Sequence, residues 1–298
     1  VTDDPVFGGS AGSGEFRITT NDCRQIASIM RVETGVVLDE GKINLIYSRL
    51  AKRLRSLRLQ SFADYCELIA GQDGQSERNA MIAALTTNVT RFFREPHHFE
   101  HLKNAILVPL IAHAKHGRKI RLWSAACSSG QEPYSMALTV LSIMPDAANY
   151  DIKILATDID PNMIAVGKAG IYDETLMSDV PAELSRRWFT PARDRPGAFH
   201  AGKELREMVS FRKMNLIGEW PMNGNFNAIF CRNVVIYFDD ETKMKIWDRM
   251  IPLLEKSAAL YIGHSERIGG HVEQLLRNDG ITTYRLRETA TTSSKVPA

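Results

Sequence analysis

The sequence predicts an α/β protein, a parallel sheet covered on both faces by helices and preceded by a small all-helical domain. Three observations carry this. From Thr20 to about Leu85, apolar residues recur at spacings of three and four with no strand pattern. From Ile120 onward, short apolar runs alternate with helical stretches, as parallel strands joined by helical crossovers do. Between Ile171 and Lys213 a Pro- and Gly-bearing segment interrupts that alternation and leaves room for an inserted hairpin.

The elements follow in order. Asn21 caps a first helix running through Met30 and stopping near Gly35. A second runs from about Asp39 to Leu59, with Ile43, Ile46, Tyr47, Leu50, Leu54 and Leu57 forming one apolar face. Ser61-Phe-Ala-Asp64 opens a third helix, Gly71–Gly74 breaks it, and a fourth runs from about Glu77 to Leu85. A long helix spans Pro96–His116. Strands then fall at Ile120–Ala126, Ile152–Thr157, Phe226–Cys231, Ala258–Gly263 and Ile281–Leu286, with helices after the first three. The expected division is a flexible tail over 1–17, a helical domain over 18–90, an α/β domain over 91–288 with an inserted β subdomain at about 185–213, and a second flexible tail over 289–298.

Composition narrows the function. Apolar residues make up 44% and charged residues 24% of 298, as in an ordinary globular protein. No run of 18 apolar residues occurs, so no spanning helix and no membrane insertion are expected, and no signal segment opens the chain. A net charge of +2 is too balanced for a protein that coats nucleic acid. Cys23, Cys66, Cys127 and Cys231 form no C-x-x-C pair and lie near no histidine at zinc spacing, so free thiols, no metal site and a cytoplasmic setting are expected.

The chemistry is expected beyond the carboxyl ends of the strands. The turn Ala125-Ala-Cys-Ser-Ser-Gly130-Gln-Glu132 has small residues that allow close backbone approach, but it is not the G-x-G-x-x-G of a dinucleotide site. The second strand ends in Thr157-Asp158-Ile-Asp160-Pro161. Asp160, just before a proline suited to a first helical position, reads as a helix cap. That leaves Asp158 to accept hydrogen bonds from ribose hydroxyls. A small-residue turn with a strand-end acid, lacking the dinucleotide glycines, points to an adenosyl ligand without a pyrophosphate, such as S-adenosylmethionine.

Longer words then become distinctive: Leu85-Thr-Thr-Asn88-Val-Thr90-Arg-Phe-Phe-Arg94-Glu-Pro-His-His-Phe99, Trp123-Ser-Ala-Ala-Cys-Ser-Ser-Gly-Gln-Glu132-Pro-Tyr-Ser135, Ala156-Thr-Asp158-Ile-Asp160, Ile229-Phe-Cys-Arg232-Asn233-Val-Val-Ile-Tyr237-Phe238 and Gly263-His-Ser-Glu266. In this order, over about Thr20–Arg287, the chain resembles the chemotaxis receptor glutamate methyltransferases, the CheR family. The resemblance implies a Rossmann-like S-adenosylmethionine-dependent methyltransferase sheet with an N-terminal helical domain and a small β insertion. It implies a soluble enzyme, cytoplasmic and recruited to membrane receptor arrays. Its activity would be to methylate glutamate carboxylates in the cytoplasmic helical region of chemoreceptors, releasing S-adenosylhomocysteine. Carried over, it places Asn88, Thr90, Arg94, Glu132, Asp158, Asn215, Leu216, Arg232 and Asn233 around the cofactor. Arg94, Tyr237 and Arg232 would stand at the reacting end.

Chemistry agrees with the absence of a triad or paired-acid motif, because a glutamate carboxylate is already ionised at neutral pH and needs alignment rather than a general base. Arg94 and Arg232 can hold an acceptor carboxylate with a planar fork, and Tyr237 offers a ring face and a phenol oxygen beside a cationic sulfur. His97 and His98, about 100° apart on a helix, are not expected to chelate one ion together. Six basic residues without an acid between Lys42 and Gln60 give the second helix a solvent-facing cationic side, on which Arg49, Lys52 and Arg53 would dock an acidic receptor bundle. Charge alone would suit RNA equally, although no nucleic-acid partner is expected. The competing readings are therefore an RNA methyltransferase and a non-catalytic S-adenosylmethionine sensor. Trp188–Phe211 lacks the Gly-x-Gly turn associated with family members that grip a receptor C-terminal tail, so a structural insertion is as good a reading there.

Overall fold

The computed structural model describes residues 5–7, 15–222 and 224–287. The first helix, α1 (Thr20–Thr34), is capped by Thr19 rather than Asn21. The Thr19 hydroxyl accepts from Asp22 N at 3.1 Å, and Asp22 Oδ2 accepts from Thr19 N at 2.8 Å. α1 ends at Gly35, whose φ of 78° lets its N–H return to the Arg31 carbonyl. Three further helices follow: α2 (Ile43–Leu57), α3 (Phe62–Ala70, capped by Ser61) and α4 (Gln75–Leu85). Their apolar stripes bury Ile26, Met30, Leu50, Leu54, Phe62, Tyr65, Ile69 and Met81 in one small core. The expected N-terminal tail is shorter than predicted. Pro5–Phe7 pairs with Ile18–Thr19, and Phe16 is buried in the helical core. Residues 1–4 and 8–14, and the expected tail at 289–298, lie outside the described residues.

The long linking helix is not uniform. It runs as α5 (Pro96–His101), a wider π stretch over Leu102–Leu107, and α6 (Val108–Ala114). Pro109 lacks the N–H that an α-helical turn would use there, and the wide turn precedes it.

The main sheet has seven strands: β1 (Ile120–Ala125), β2 (Ile152–Asp158), β3 (Val209–Lys213), β4 (Phe226–Cys231), β5 (Leu254–Ile262), β6 (Leu276–Gly280) and β7 (Thr283–Leu286). They lie side by side in the order β6-β7-β5-β4-β1-β2-β3, parallel except for the antiparallel pairings of β7. Crossover helices α7 (Gln131–Ile143), α8 (Pro161–Ala169) and α11 (Asp240–Met250) cover the sheet, with short α9 (Ala182–Trp188) and α10 (Lys203–Met208) between β2 and β3. Successive residues point to opposite faces, so Leu122 joins a core with Tyr134, Ile154 and Phe230, while Trp123 joins one with Ile229, Trp247 and Leu260.

The insertion also shifts. A three-stranded antiparallel sheet is formed by Ile171–Asp173, Ala198–Ala201 and Phe189–Pro191, so it begins earlier than residue 185. Val209–Lys213 does not belong to it. That segment pairs in parallel with β2 and closes one edge of the main sheet. Its alternation of Val209 and Phe211 with polar residues is that of an edge strand exposed on one side, which in sequence cannot be told from a hairpin arm.

Register then places the site. Ala125 lies beside both Thr157 and Cys231, so β1, β2 and β4 end level with one another at the point where strand order reverses.

Candidate active site

Three turns and the interdomain linker converge above these strand ends. The turn after β1 uses left-handed backbone at Ala126, Ser128 and Gly130 (φ 65°, 49° and 97°). A Cβ on Gly130 would meet Tyr172 Oη at 2.8 Å, so the turn is held close to its neighbours. Asp158, ending β2, accepts from Ser128 N at 2.7 Å and from Asp160 N at 2.9 Å. Burial pushes the Asp158 carboxyl above its usual range, against the pull of these two N–H groups. Asp160 caps α8 through Asn162 N at 2.8 Å, and its other oxygen accepts from Asn88 Nδ2 at 3.0 Å. The cap assignment is therefore joined by a second contact that ties the linker to β2.

The resulting cleft encloses about 1120 Å³ including its mouth. Asn88, Thr90, Arg94, Glu132, Asp158, Asn215, Leu216, Arg232, Asn233 and Tyr237 all line it. Leu38, Leu85, Leu216 and Phe238 give it apolar walls. Part of that wall comes from the helical domain, since Thr34, Val36, Lys42 and Leu45 also face the cleft. The domains are stitched together there. Val37 N donates to the Tyr237 carbonyl at 2.8 Å, Asn215 Nδ2 to the Glu33 carbonyl at 2.7 Å, and Arg31 pairs with Asp239 at 2.6 Å.

Arg232 departs from its expected role. It is buried, donates Nη1–H to Glu132 at 3.0 Å, lies 3.4 Å from Glu95 and donates to the Arg94 carbonyl. It is thus committed to holding Glu132 and the Arg94 backbone, not extended toward an acceptor. Glu132 also accepts from Ser124 Oγ at 2.7 Å. Burial raises its carboxyl, with Arg232 pulling the other way. Burial would raise Glu95 too, but Arg232 and its other neighbours hold it below the usual carboxylate value. Arg94 is half-buried and donates to the Val89 carbonyl at 2.9 Å.

The adjacent histidines also differ from expectation. Glu95, His97 and His98 each bring a ligand-type atom within 4.8 Å of the others. They can meet because they sit at the first turn of α5, where the chain enters through Glu95 at a φ of 60°. The cation beside this cluster is the Arg232 guanidinium. His98 is fully buried, and burial followed by Arg232 lowers it to about 3, so it is neutral at physiological pH. Cys127 and Cys231 are buried and raised well above an ordinary thiol, so neither offers a thiolate nucleophile.

Two of the three expected docking residues point inward. Arg53 binds Glu77 at 2.9 Å and 2.5 Å, and Arg49 donates to the carbonyls of Leu85 at 3.0 Å and Thr86 at 2.6 Å. Arg49 therefore caps the end of α4 and holds the start of the linker that carries Asn88. Lys52, Arg55 and Arg58 remain on the exposed side. Sequence reasoning gave no role to Glu266, Ser128 or the helical-domain wall, although Ser128 lies in the small-residue turn after the first strand and Glu266 in the word Gly263-His-Ser-Glu.

A family profile described as "CheR methyltransferase, SAM binding domain" matches residues 88–284, and one described as "CheR methyltransferase, all-alpha domain" matches 21–86. A probable chemotaxis protein methyltransferase of Rhizobium etli is 49% identical over 254 residues, covering 85% of this chain and 95% of that protein. Chemotaxis protein methyltransferase 2 of Pseudomonas aeruginosa is 39% identical over 287 residues, 95% and 98% of the two chains. The chemotaxis protein methyltransferase of Escherichia coli is 38% identical over 267 residues, 88% and 90% of the two.

Proposed function

Because the chain belongs to the CheR family of S-adenosylmethionine-dependent methyltransferases, we propose that it esterifies glutamate side chains in the cytoplasmic helical region of chemoreceptors, for chemotactic adaptation. The observation that carries this reading is the meeting of Asp158, Glu132, Arg94 and Tyr237 in one cleft. The donor set fits the cofactor. Asp158 would accept hydrogen bonds from the ribose hydroxyls, Glu132 offers a carboxylate to the amino group, and Leu38, Leu85, Leu216 and Phe238 would be apolar walls for adenine. When bound, S-adenosylmethionine supplies an electrophilic methyl group and leaves as S-adenosylhomocysteine.

The chain's own residues align the acceptor and exclude water. The acceptor carboxylate arrives ionised, so no residue need remove a proton. Arg94 spends one N–H on the Val89 carbonyl, and the rest of its fork serves the acceptor. Tyr237, half-buried in the same cleft, would offer its ring face to the sulfonium. Arg232 positions Glu132 and Arg94 rather than touching the acceptor. The exposed cations Lys52 and Arg55 of α2 and Arg58 just past its end dock the acidic receptor bundle, and the enzyme works in the cytoplasm at receptor arrays.

The test is transfer of tritiated methyl groups to receptor-rich membranes followed by alkali. A glutamate methyl ester releases volatile methanol. Alkali-stable label on protein, or label on RNA, would refute the proposal.

A further inference from the structure

We infer that Glu266 is a positioning residue for the reacting end of the cleft, its buried carboxylate fixing the loop that carries Asn233 and Tyr237. Glu266 is 2% exposed and is not among the residues that line the cleft, so it acts through others. Its Oε1 accepts from Val234 N at 2.8 Å and Val235 N at 2.9 Å. Its Oε2 accepts from Asn233 N at 2.9 Å and Gly263 N at 2.5 Å. Four backbone donors on one carboxylate form an anion nest in which every acceptor direction is used.

The reason for this arrangement lies in the strand ends. β4 and β5 finish in register, Cys231 beside Ile262, so the chains leaving them run side by side and their N–H groups need an acceptor. Asn233 takes a φ of 58°, which an L-residue adopts at a cost and which the carboxylate offsets. Gly263 permits the approach, since a Cβ there would lie 2.4 Å from Asn233 Nδ2 and 2.9 Å from its backbone nitrogen. The held segment continues into the turn Val235–Tyr237, so one carboxylate sets the placement of a cofactor-facing amide and of the tyrosine ring.

This rests on the reading of Asn233 and Tyr237 as working residues of the cleft. Glu266→Gln keeps the shape but turns an amide N–H toward two of the four donors. S-adenosylhomocysteine affinity should fall by roughly tenfold or more, the KM for S-adenosylmethionine should rise, and kcat should fall with it. Hydrogen exchange should quicken at Asn233–Val235 while the amides of β1 stay protected. A merely structural role would lower kcat through a smaller active fraction and leave KM unchanged. Unchanged affinity, KM and local exchange would overturn the inference, as would a loss confined to kcat. If Glu266→Gln does not fold, Gly263→Ala presses on Asn233 with all four donors retained; a raised KM then supports the inference and an unchanged one overturns it. Wild-type protein that failed to bind S-adenosylhomocysteine would remove the reading on which the inference stands.

Discussion

Two arginine–carboxylate groups, one in the helical domain and one at the cleft, look alike in composition and differ in what they leave unmade. In the first, Glu77 Oε1 accepts from Arg53 Nε and Tyr65 Oη, both at 2.9 Å, and Oε2 accepts from Arg53 Nη2 at 2.5 Å. In the second, Arg232 Nε, Glu95 Oε2, His97 Nε2 and His98 Nδ1 are buried without a hydrogen-bond partner, four of the seven such side-chain atoms among the described residues. The cleft group is held by longer contacts, Glu95 Oε2 lying 3.4 Å from Arg232 Nη2 and 3.5 Å from His98 Nδ1, so its members keep bonding capacity that the helical-domain pair has used. Spare bonding capacity, not charge or burial, is what distinguishes the two.

The largest expected effect would break the closed pair. Arg53→Glu sets a second carboxylate against Glu77, which is 9% exposed. It should destabilise the fold by about 2–4 kcal/mol in denaturant melts while leaving cofactor affinity intact. Loss of affinity instead would erase the contrast. Next, Asp158→Ala should cost about 1.5–3 kcal/mol of S-adenosylhomocysteine binding by calorimetry. Asp160→Ala should cost about 1 kcal/mol of fold stability through the lost cap, with a smaller loss of affinity because Asn88 is released. Equal affinity losses would show that Asp158 has no special place.

A pH series sharpens the open cluster. Burial, then Arg232, lowers His98 to about 3 in the folded state from the ordinary 6.5, so between those values the unfolded chain binds the proton and the native chain does not. Stability contributed by neutral His98 is present above 6.5 and is lost as pH falls toward 3, at up to about 1.4 kcal/mol per pH unit. His98→Gln should flatten that part of the acid-denaturation profile; an unchanged slope would place the acid sensitivity elsewhere. The smallest effect belongs to the exposed cations. Lys52→Glu with Arg55→Glu should raise the receptor KM by an amount worth under about 1 kcal/mol and weaken its salt dependence. If kinetics at low salt match wild type, this side of α2 is only solvated.

The sequence made the strand ends readable because parallel strands buried on both faces are continuous apolar runs, and the words at their ends are distinctive. It misread Val209–Lys213, where a one-sided edge strand has the same alternation as a hairpin arm. It passed over Thr19, although Thr-x-x-Asp was present, because Asn21 is itself a good cap. Arg49 and Arg53 show the deeper limit. Helical periodicity gives the side of α2 on which they lie, but not that the end of α4 supplies carbonyls and Glu77 within their reach. Nor does any local pattern reveal that Lys42 and Val36 face a cleft closed by residues near 237.

The bridge between Val36 and Phe238 has a consequence for how the protein is made. On the ribosome the helical domain emerges first and has its own core, yet Val36 packs against both that core and the one beneath β4 and β5. Until Phe238 has been translated, Val36 lacks the cover of the second core, and the nascent chain presents that apolar side chain to its surroundings. Chaperone demand during synthesis should therefore end late, when the loop bearing the tyrosine reaches back and docks on the first domain. The event that completes the cofactor cleft is also the one that covers Val36 on the nascent chain.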